Sequence, residues 1–233
     1  MMLVELQQYA QQFNDQPWVM TKIMAAVNTI KQLENHALPD KPLPNLSFTQ
    51  KQILNYPSLM PLDDLLANLR QEIITTFGIW HVPNQQWLQD LHTFIAGRRV
   101  LEIMAGNGVI TSQLRKLGDQ VVVTDNFDWQ GQDIQIPQPW TDVKSMSATM
   151  AIQTLPFEVL IMSWAPDTDE SDVSVLSGLR QQNFQGDFIV IGEPYLATNS
   201  QKFWQMADLT LKPELNQHHT SFDVIKDHVF LVK

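Results

Sequence analysis

The spacing of apolar positions changes near residue 100. Ahead of that point Val19, Ile23, Val27, Ile30 and Leu33 recur three and four residues apart, which predicts a one-faced helix with Asp15 and Pro17 as its cap and first turn. Pro39, Pro42 and Pro44 punctuate LPDKPLPNL and predict a loop or a short extended connector. A further helix is expected from Ser47. Beyond Pro61, the residues Leu62, Leu65, Leu66, Leu69, Ile73 and Phe77 keep the helical period up to Gly78, a residue suited to a helix C-cap. No strand pattern precedes Val100, so residues 1–80 read as an all-helical extension.

From Asn84 onward the pattern alternates between the two periods. Asn84 is placed to cap a helix carrying Trp87, Leu88, Leu91, Phe94 and Ile95 and closed by Gly97. A strand follows at 100–103, then a helix whose buried stripe is expected to be Ile110, Leu114 and Leu117, then Gly118 and a strand at 121–124. Strand, helix and strand within about 30 residues make a βαβ unit. The near-continuous apolar runs VLEI and VVV predict a parallel sheet covered on both faces. Two more buried strands fit 157–163 and 187–192, with a helix between them at 173–182, and LTLKPEL and DHVFLVK supply a final pair. No internal repeat and no low-complexity tract is visible.

Composition narrows the picture. A chain of 233 residues accommodates one α/β domain with a sizeable core plus the helical extension. With 44% hydrophobic and 17% charged residues the balance is globular, and no apolar run approaches the roughly 18 residues of a membrane span, so no membrane partner is expected. The N-terminal stretch lacks a basic leader and a cleavage site, which makes the cytoplasm the default compartment. The absence of Cys excludes disulfides, Cys-ligated zinc and thiol nucleophiles, leaving oxygen and nitrogen groups for any chemistry. Fifteen Lys and Arg against 25 Asp and Glu give a formal charge of −10, and no basic run offers a phosphate track, which disfavours nucleic acid as a partner.

The stretch with most chemical content is VLEIMAGNG, residues 100–108. In an open parallel sheet ligands sit beyond the carboxyl ends of the strands, and this segment delivers a glycine turn there. Gly106 and Gly108 permit positive φ and a close ligand approach, and the helix that follows presents its N-terminal N–H groups to negative charge. Glu102 is an acid in an apolar strand, a placement that costs several kcal/mol without a partner; a ligand ammonium is one candidate and a backbone cap another. Asp125 closes the next strand, where an acid is placed to accept hydrogen bonds from a ribose diol.

With these residues in place, the chain resembles the class I S-adenosylmethionine-dependent methyltransferases. VLEIMAGNG is similar to the family's first motif, an acid followed by GxGxG, and VVVTDN is similar to its second. The resemblance covers residues 80–233 by element order, with motif support in 100–129. It implies a Rossmann-like, mostly parallel sheet of seven strands with the last antiparallel, over 81–233, behind a helical cap at 1–80. S-adenosylmethionine is the implied cofactor. Glu102 is implied near its methionyl amine, Met104, Ala105, Gly106, Asn107 and Gly108 around the methionyl moiety, and Asp125 on the ribose, with Asn126 and Ser163 in the same set. Ser147 and Ala148 stand where the family often has an acid on the adenine side, and Met104 stands where it normally has Gly. The segment 163–195 further resembles a methyltransferase subgroup with an aromatic residue and proline after the fourth strand, here Trp164 and Pro166, then Gly186, Asp187, Gly192 and Glu193 around the fifth.

Acceptor-side candidates are Trp164 and Pro166 as an aromatic wall, Glu193 and Tyr195 after the fifth strand, and His81 ahead of the Asn84 helix. Each also has a plain reading as packing or loop solvation. His218 and His219 with Asp223 invite a metal, but adjacent histidines of an extended segment point to opposite faces, so no metal is expected. No residue declares itself as a catalytic base. The leading function is methyl transfer to a small-molecule acceptor. A non-catalytic S-adenosylmethionine-binding or scaffold protein with a degenerate methyltransferase fold is the first alternative, and a nicotinamide oxidoreductase is the second, although GNGVIT lacks the GxGxxG pattern. The oligomeric state is open.

Overall fold

The structure is a computed structural model that describes residues 2–129 and 136–233. Its N-terminal part is helical. Helix α1 (Met2–Gln12) is followed by α2 (Pro17–Glu34), whose stripe Val19, Ile23, Val27, Ile30 and Leu33 is buried throughout. The residue before α2 is Gln16, which makes no side-chain cap, so Asp15 does not play the expected role and Pro17 alone sets the first turn. Residues 38–46 form the expected irregular connector.

Helix α3 (Gln50–Asn55) begins three residues later than Ser47, because Thr49 and Gln52 form a reciprocal capping box there. The helix expected through Leu62 and Phe77 is two: α4 (Met60–Ala67) and α5 (Leu69–Phe77), separated at Asn68. Asn68 returns its amide to the Asp64 carbonyl at 2.7 Å, the local competition by which Asn interrupts a helix. The apolar period survives the break because both helices bury the same side. Gly78 closes α5 in the left-handed conformation at φ 61°.

Helix α6 (Gln85–Ile95) is capped by Asn84, whose Oδ1 accepts from the Trp87 N–H at 3.0 Å. Then come β1 (Val100–Ile103), α7 (Val109–Lys116), β2 (Val121–Asp125), β3 (Lys144–Ser145), α8 (Ala148–Thr154), β4 (Val159–Ser163) and α9 (Ser171–Gln181). The chain continues through β5 (Asp187–Gly192), α10 (Gln201–Met206), β6 (Leu209–Leu211), α11 (Pro213–Asn216) and β7 (His228–Val232). Leu117, expected in the buried stripe of α7, lies just past the helix end and is 39% exposed.

The seven strands of the described residues form one sheet in the order β3-β2-β1-β4-β5-β7-β6, parallel except for β7, which runs antiparallel to β5 and β6. The expected sheet, with seven strands and the last reversed, is the one found. Alternation along each strand divides the core into two layers. Val100, Val159, Ile161, Ile189, Ile191 and Val229 face the layer built from the N-terminal helices, α6, α7 and α11. Leu101, Ile103, Leu160, Met162, Phe188, Val190 and Phe230 face the layer under α8, α9 and α10. Glu102 shares parity with Val100, so it points toward α7.

Asn107 locks the helical extension to the glycine turn. Its Nδ2 donates to the Phe77 and Gly78 carbonyls at 2.9 and 3.2 Å, and its Oδ1 accepts from the Gln138 N–H at 2.8 Å. The end of α5 is thereby held beside the carboxyl ends of β1 and β2. Among the described residues no helix is long and apolar enough to cross a membrane.

Candidate functional site

Between β1 and β4 the strand order reverses, and the turn leaving β1 opens there. Met104, Gly106 and Gly108 all have positive φ, at 50°, 54° and 66°. A left-handed conformation strains a methionine by about 1–2 kcal/mol and a glycine hardly at all. The Met104 side chain goes sideways, packing against the core layer under α8 and α9 while also lining the crevice. The two glycines differ in outlook. Gly106 lies beneath Trp80 and Trp129, whose rings a Cβ would meet at 3.8 and 3.9 Å. Gly108 faces the other way, where a Cβ would fall 2.8 Å from Val143, so its place in the expected set is as a backbone element behind the crevice.

The two acids flank this turn, and both are held by the protein. Glu102 Oε2 accepts from the Thr111 N–H at 3.0 Å and from the Thr111 hydroxyl, in the first turns of α7. Burial pushes its carboxyl up to about 7, against the pull of the two Thr111 bonds, with the nearby Asp125 charge adding to the rise. Asp125 Oδ2 accepts from the Gly106 N–H at 2.7 Å, and Oδ1 accepts from the Phe127 N–H at 2.7 Å and the Trp129 indole at 3.2 Å. Its pKa is also raised, by burial first, with those donors working in the opposite direction.

A cavity of about 680 Å³ opens over the turn, within the usual size of a small-molecule or cofactor site. Of the expected cofactor residues, Glu102, Met104, Ala105, Gly106, Asn107, Asp125, Asn126, Ser147, Ala148 and Ser163 line it. Ser147 caps α8 through the Met150 N–H at 3.3 Å. The Ser163 Oγ is buried, and among the described residues it has no hydrogen-bond partner.

The acceptor-side candidates divide. His81, Trp164 and Pro166 line the cavity. Glu193 does not: it is buried, and its Oε1 accepts from the Lys226 N–H at 2.6 Å. Tyr195 stands on a neighbouring groove and donates to the Trp204 carbonyl at 3.1 Å. Adjacent His218 and His219 do diverge, the first to Asp90 at 2.7 Å and the second inward to His81. Burial pushes both inward imidazoles down, His81 well below 6.5, and each is also disfavoured as a cation by Arg70.

Other site residues were not marked by the sequence reading. Arg70 is buried on α5, pairs with Asp223 at 2.6 Å through Nε, donates to the Trp80 carbonyl at 2.8 Å, and is sandwiched between Trp164 and Phe222 at 4.4 Å each. Trp164 in turn donates its indole N–H to Asp227 at 2.8 Å. An arginine on an otherwise apolar helical stripe was the available signal. For Trp80 and Trp129 there was none beyond their closeness in sequence to Gly78 and Asp125.

A parallel sheet with one reversed strand inserted between β5 and β6, and an acid-flanked glycine turn at its carboxyl edge, define the class I methyltransferase fold. No family model matches the sequence, and no curated protein matches it. Solved structures align with the chain at a distance. TehB from Haemophilus influenzae aligns over 70% of this chain and just under two thirds, 66%, of its own, at 11% identity and a TM-score of 0.40. The magnesium protoporphyrin IX methyltransferase ChlM from Synechocystis PCC 6803, with bound S-adenosylmethionine, aligns over 81% and 99% at 14% identity and 0.39. A variant of MtNAS in complex with S-adenosylmethionine aligns over 99% and 94% at 16% identity and 0.41. The fold assignment rests on strand order and direction.

Proposed function

We propose that the chain is a methyltransferase that uses S-adenosylmethionine and passes its methyl group to a small molecule. The observation that carries this reading is the cavity bounded by two buried acids, Glu102 and Asp125, on either side of the glycine turn. The residues present fit the cofactor: the size is right, Ser163 Oγ lacks a partner among the described residues, and residues 104–107 border the space. Glu102 would hold the methionyl ammonium, Asp125 the ribose hydroxyls, and Ser147 and Ala148 the adenine side. With S-adenosylmethionine bound, the site is supplied with an electrophilic methyl group.

The chain's own contribution is placement and exclusion of water. Trp80 and Trp129 cover the turn with rings 5.7 Å apart at 74°. His81, Trp164 and Pro166 form the wall available to an acceptor, and residues 1–80 act as a helical cap over the domain at 81–233, tied to the turn through Asn107. None of these groups is in place to be named as a base. The reading carries the cytoplasm as compartment.

One observation favours a scaffold without transfer: the Trp129 indole already occupies a lone pair of Asp125 that a ribose would use. A nicotinamide enzyme is disfavoured, since the doubly wound dinucleotide sheet runs 3-2-1-4-5-6 without the reversed strand found here. A thermal-melt comparison tells which cofactor, if any, the cavity takes. S-adenosylmethionine and S-adenosylhomocysteine at saturating concentration should each raise the midpoint by several degrees while NAD and NADP leave it unchanged. Stabilisation by a nicotinamide cofactor alone would overturn the proposal, and silence from all four would favour the scaffold.

A further inference from the structure

We infer that His81, His219 and Asp227 form a binding site for one divalent transition-metal ion, with zinc as the chemistry that fits best. The residues come from the segment before α6 and from the segment that leads into β7. Their ligand atoms lie within 4.8 Å of one another, and all three side chains are buried. The Nε2 atoms of His81 and His219 are 3.1 Å apart, and His219 Nε2 is 3.8 Å from Asp227 Oδ2. Ligands bound about 2.0–2.2 Å from a tetrahedral zinc stand roughly 3.3 Å from one another, so the 3.1 Å and 3.8 Å separations already bracket that spacing, and Asp227 closes in on His81 from within 4.8 Å.

The protonation logic points the same way. Two Nε2 atoms that face each other at 3.1 Å share at most one proton, so at least one presents a lone pair to the centre of the set. A cation between them would use both Nε2 lone pairs at once. Two imidazoles and one carboxylate are a ligand set suited to zinc and its neighbours, and with no thiolate in the chain it is a nitrogen and oxygen site.

Space and charge are compatible. A void of about 20 Å³ borders His81, His219 and Asp227, on the scale of a single ion or water. Asp227 is oriented by the Trp164 indole on Oδ2 at 2.8 Å and approached by the Ser221 hydroxyl on Oδ1 at 3.4 Å, as outer partners orient a ligating carboxylate. Arg70 lines the same void, but its charge is balanced by the two-point pairing with Asp223 at 2.6 and 3.2 Å. Asp227 is thus left to offset the ion. Three protein ligands leave a fourth position free, and because His81 also lines the large cavity, the ion would sit behind the acceptor wall.

The test uses the untagged full chain stripped of metal, titrated with Co²⁺ and separately with Zn²⁺. Expected are one ion per chain by elemental analysis, the intense visible absorption of four- or five-coordinate cobalt, and displacement of that signal by zinc. His219→Gln and Asp227→Asn, each confirmed folded by circular dichroism, should lose affinity at least tenfold, and His218→Gln should bind as the native chain does. Less than 0.2 ion per chain at saturating metal, or equal binding by the native chain and either folded site variant, overturns the inference, as does cobalt with only the weak spectrum of an octahedral aquo ion. The native-chain stoichiometry and spectrum decide the matter even if a variant does not fold. None of these readouts depends on methyl transfer.

Discussion

Replacing Glu102 by Gln should remove a pH dependence from stability, and the size follows from its burial. Glu102 is 1% exposed, between apolar strands, with Oε2 committed to Thr111. Its carboxyl ionises near 4.5 in an unfolded chain and is pushed up to about 7 in the folded one. The native state therefore keeps a proton that the unfolded state has lost between those values. The associated stability is fully present below 4.5 and is lost as pH rises through about 7. At 1.36 kcal/mol per pH unit the full loss is about 3 kcal/mol. Glutamine keeps an oxygen for the Thr111 N–H and hydroxyl but cannot ionise. Urea unfolding followed by Trp fluorescence at pH 5 and pH 8 isolates the effect, because groups common to both proteins cancel in their difference. The stability of Glu102→Gln relative to native should rise by about 2.5 kcal/mol from pH 5 to pH 8, the remainder of the loss having occurred below pH 5. A difference that stays within about 0.5 kcal/mol across that range would refute the reasoning that burial dominates this carboxyl.

Three further outcomes are expected. Arg70→Met leaves the largely covered Asp223 without its partner and should cost about 3 kcal/mol in urea unfolding, with Arg70→Lys recovering only part of it because an ammonium cannot reproduce the two-point pairing. Met104→Gly relieves about 1–2 kcal/mol of left-handed strain while losing side-chain packing, so net stability should move by less than about 2 kcal/mol, and affinity for S-adenosylhomocysteine by less than tenfold, since Met104 forms the cavity wall without closing it. A hundredfold gain in calorimetric affinity would show that Met104 crowds the ligand. Trp129→Phe frees an Asp125 lone pair and should tighten S-adenosylhomocysteine by about two- to tenfold, the value of one hydrogen bond, with unchanged or weaker binding counting against competition at that acid.

What the sequence revealed followed from local pattern. Long runs such as VLEI, VVV and DFIVIG carry their own period, and the glycines, with the acids before and after them, mark a turn by chemistry that operates over a few residues. Elements of two to six residues, such as β3, α10 and α11, are too short to show a period and take their form from neighbours. The break at Asn68 was invisible because the apolar stripe runs through it. Site groups created by long-range approach were the least legible. His81 meets His219 across 138 positions, and Arg70 meets Asp223 across 153. Only the tertiary fold reveals why an arginine interrupts an apolar face. Glu193 shows the converse, since its position after β5 suggested the crevice while the Lys226 N–H turned it inward.

The crevice over residues 104–108 is proposed to take S-adenosylmethionine. Calorimetric titration of the purified chain with S-adenosylmethionine and S-adenosylhomocysteine tests it most directly. One-to-one binding of both in the micromolar range is expected, weakened at least tenfold in a folded Asp125→Ala variant. No heat of binding from either ligand, in a sample that circular dichroism and fluorescence show to be folded, would contradict it.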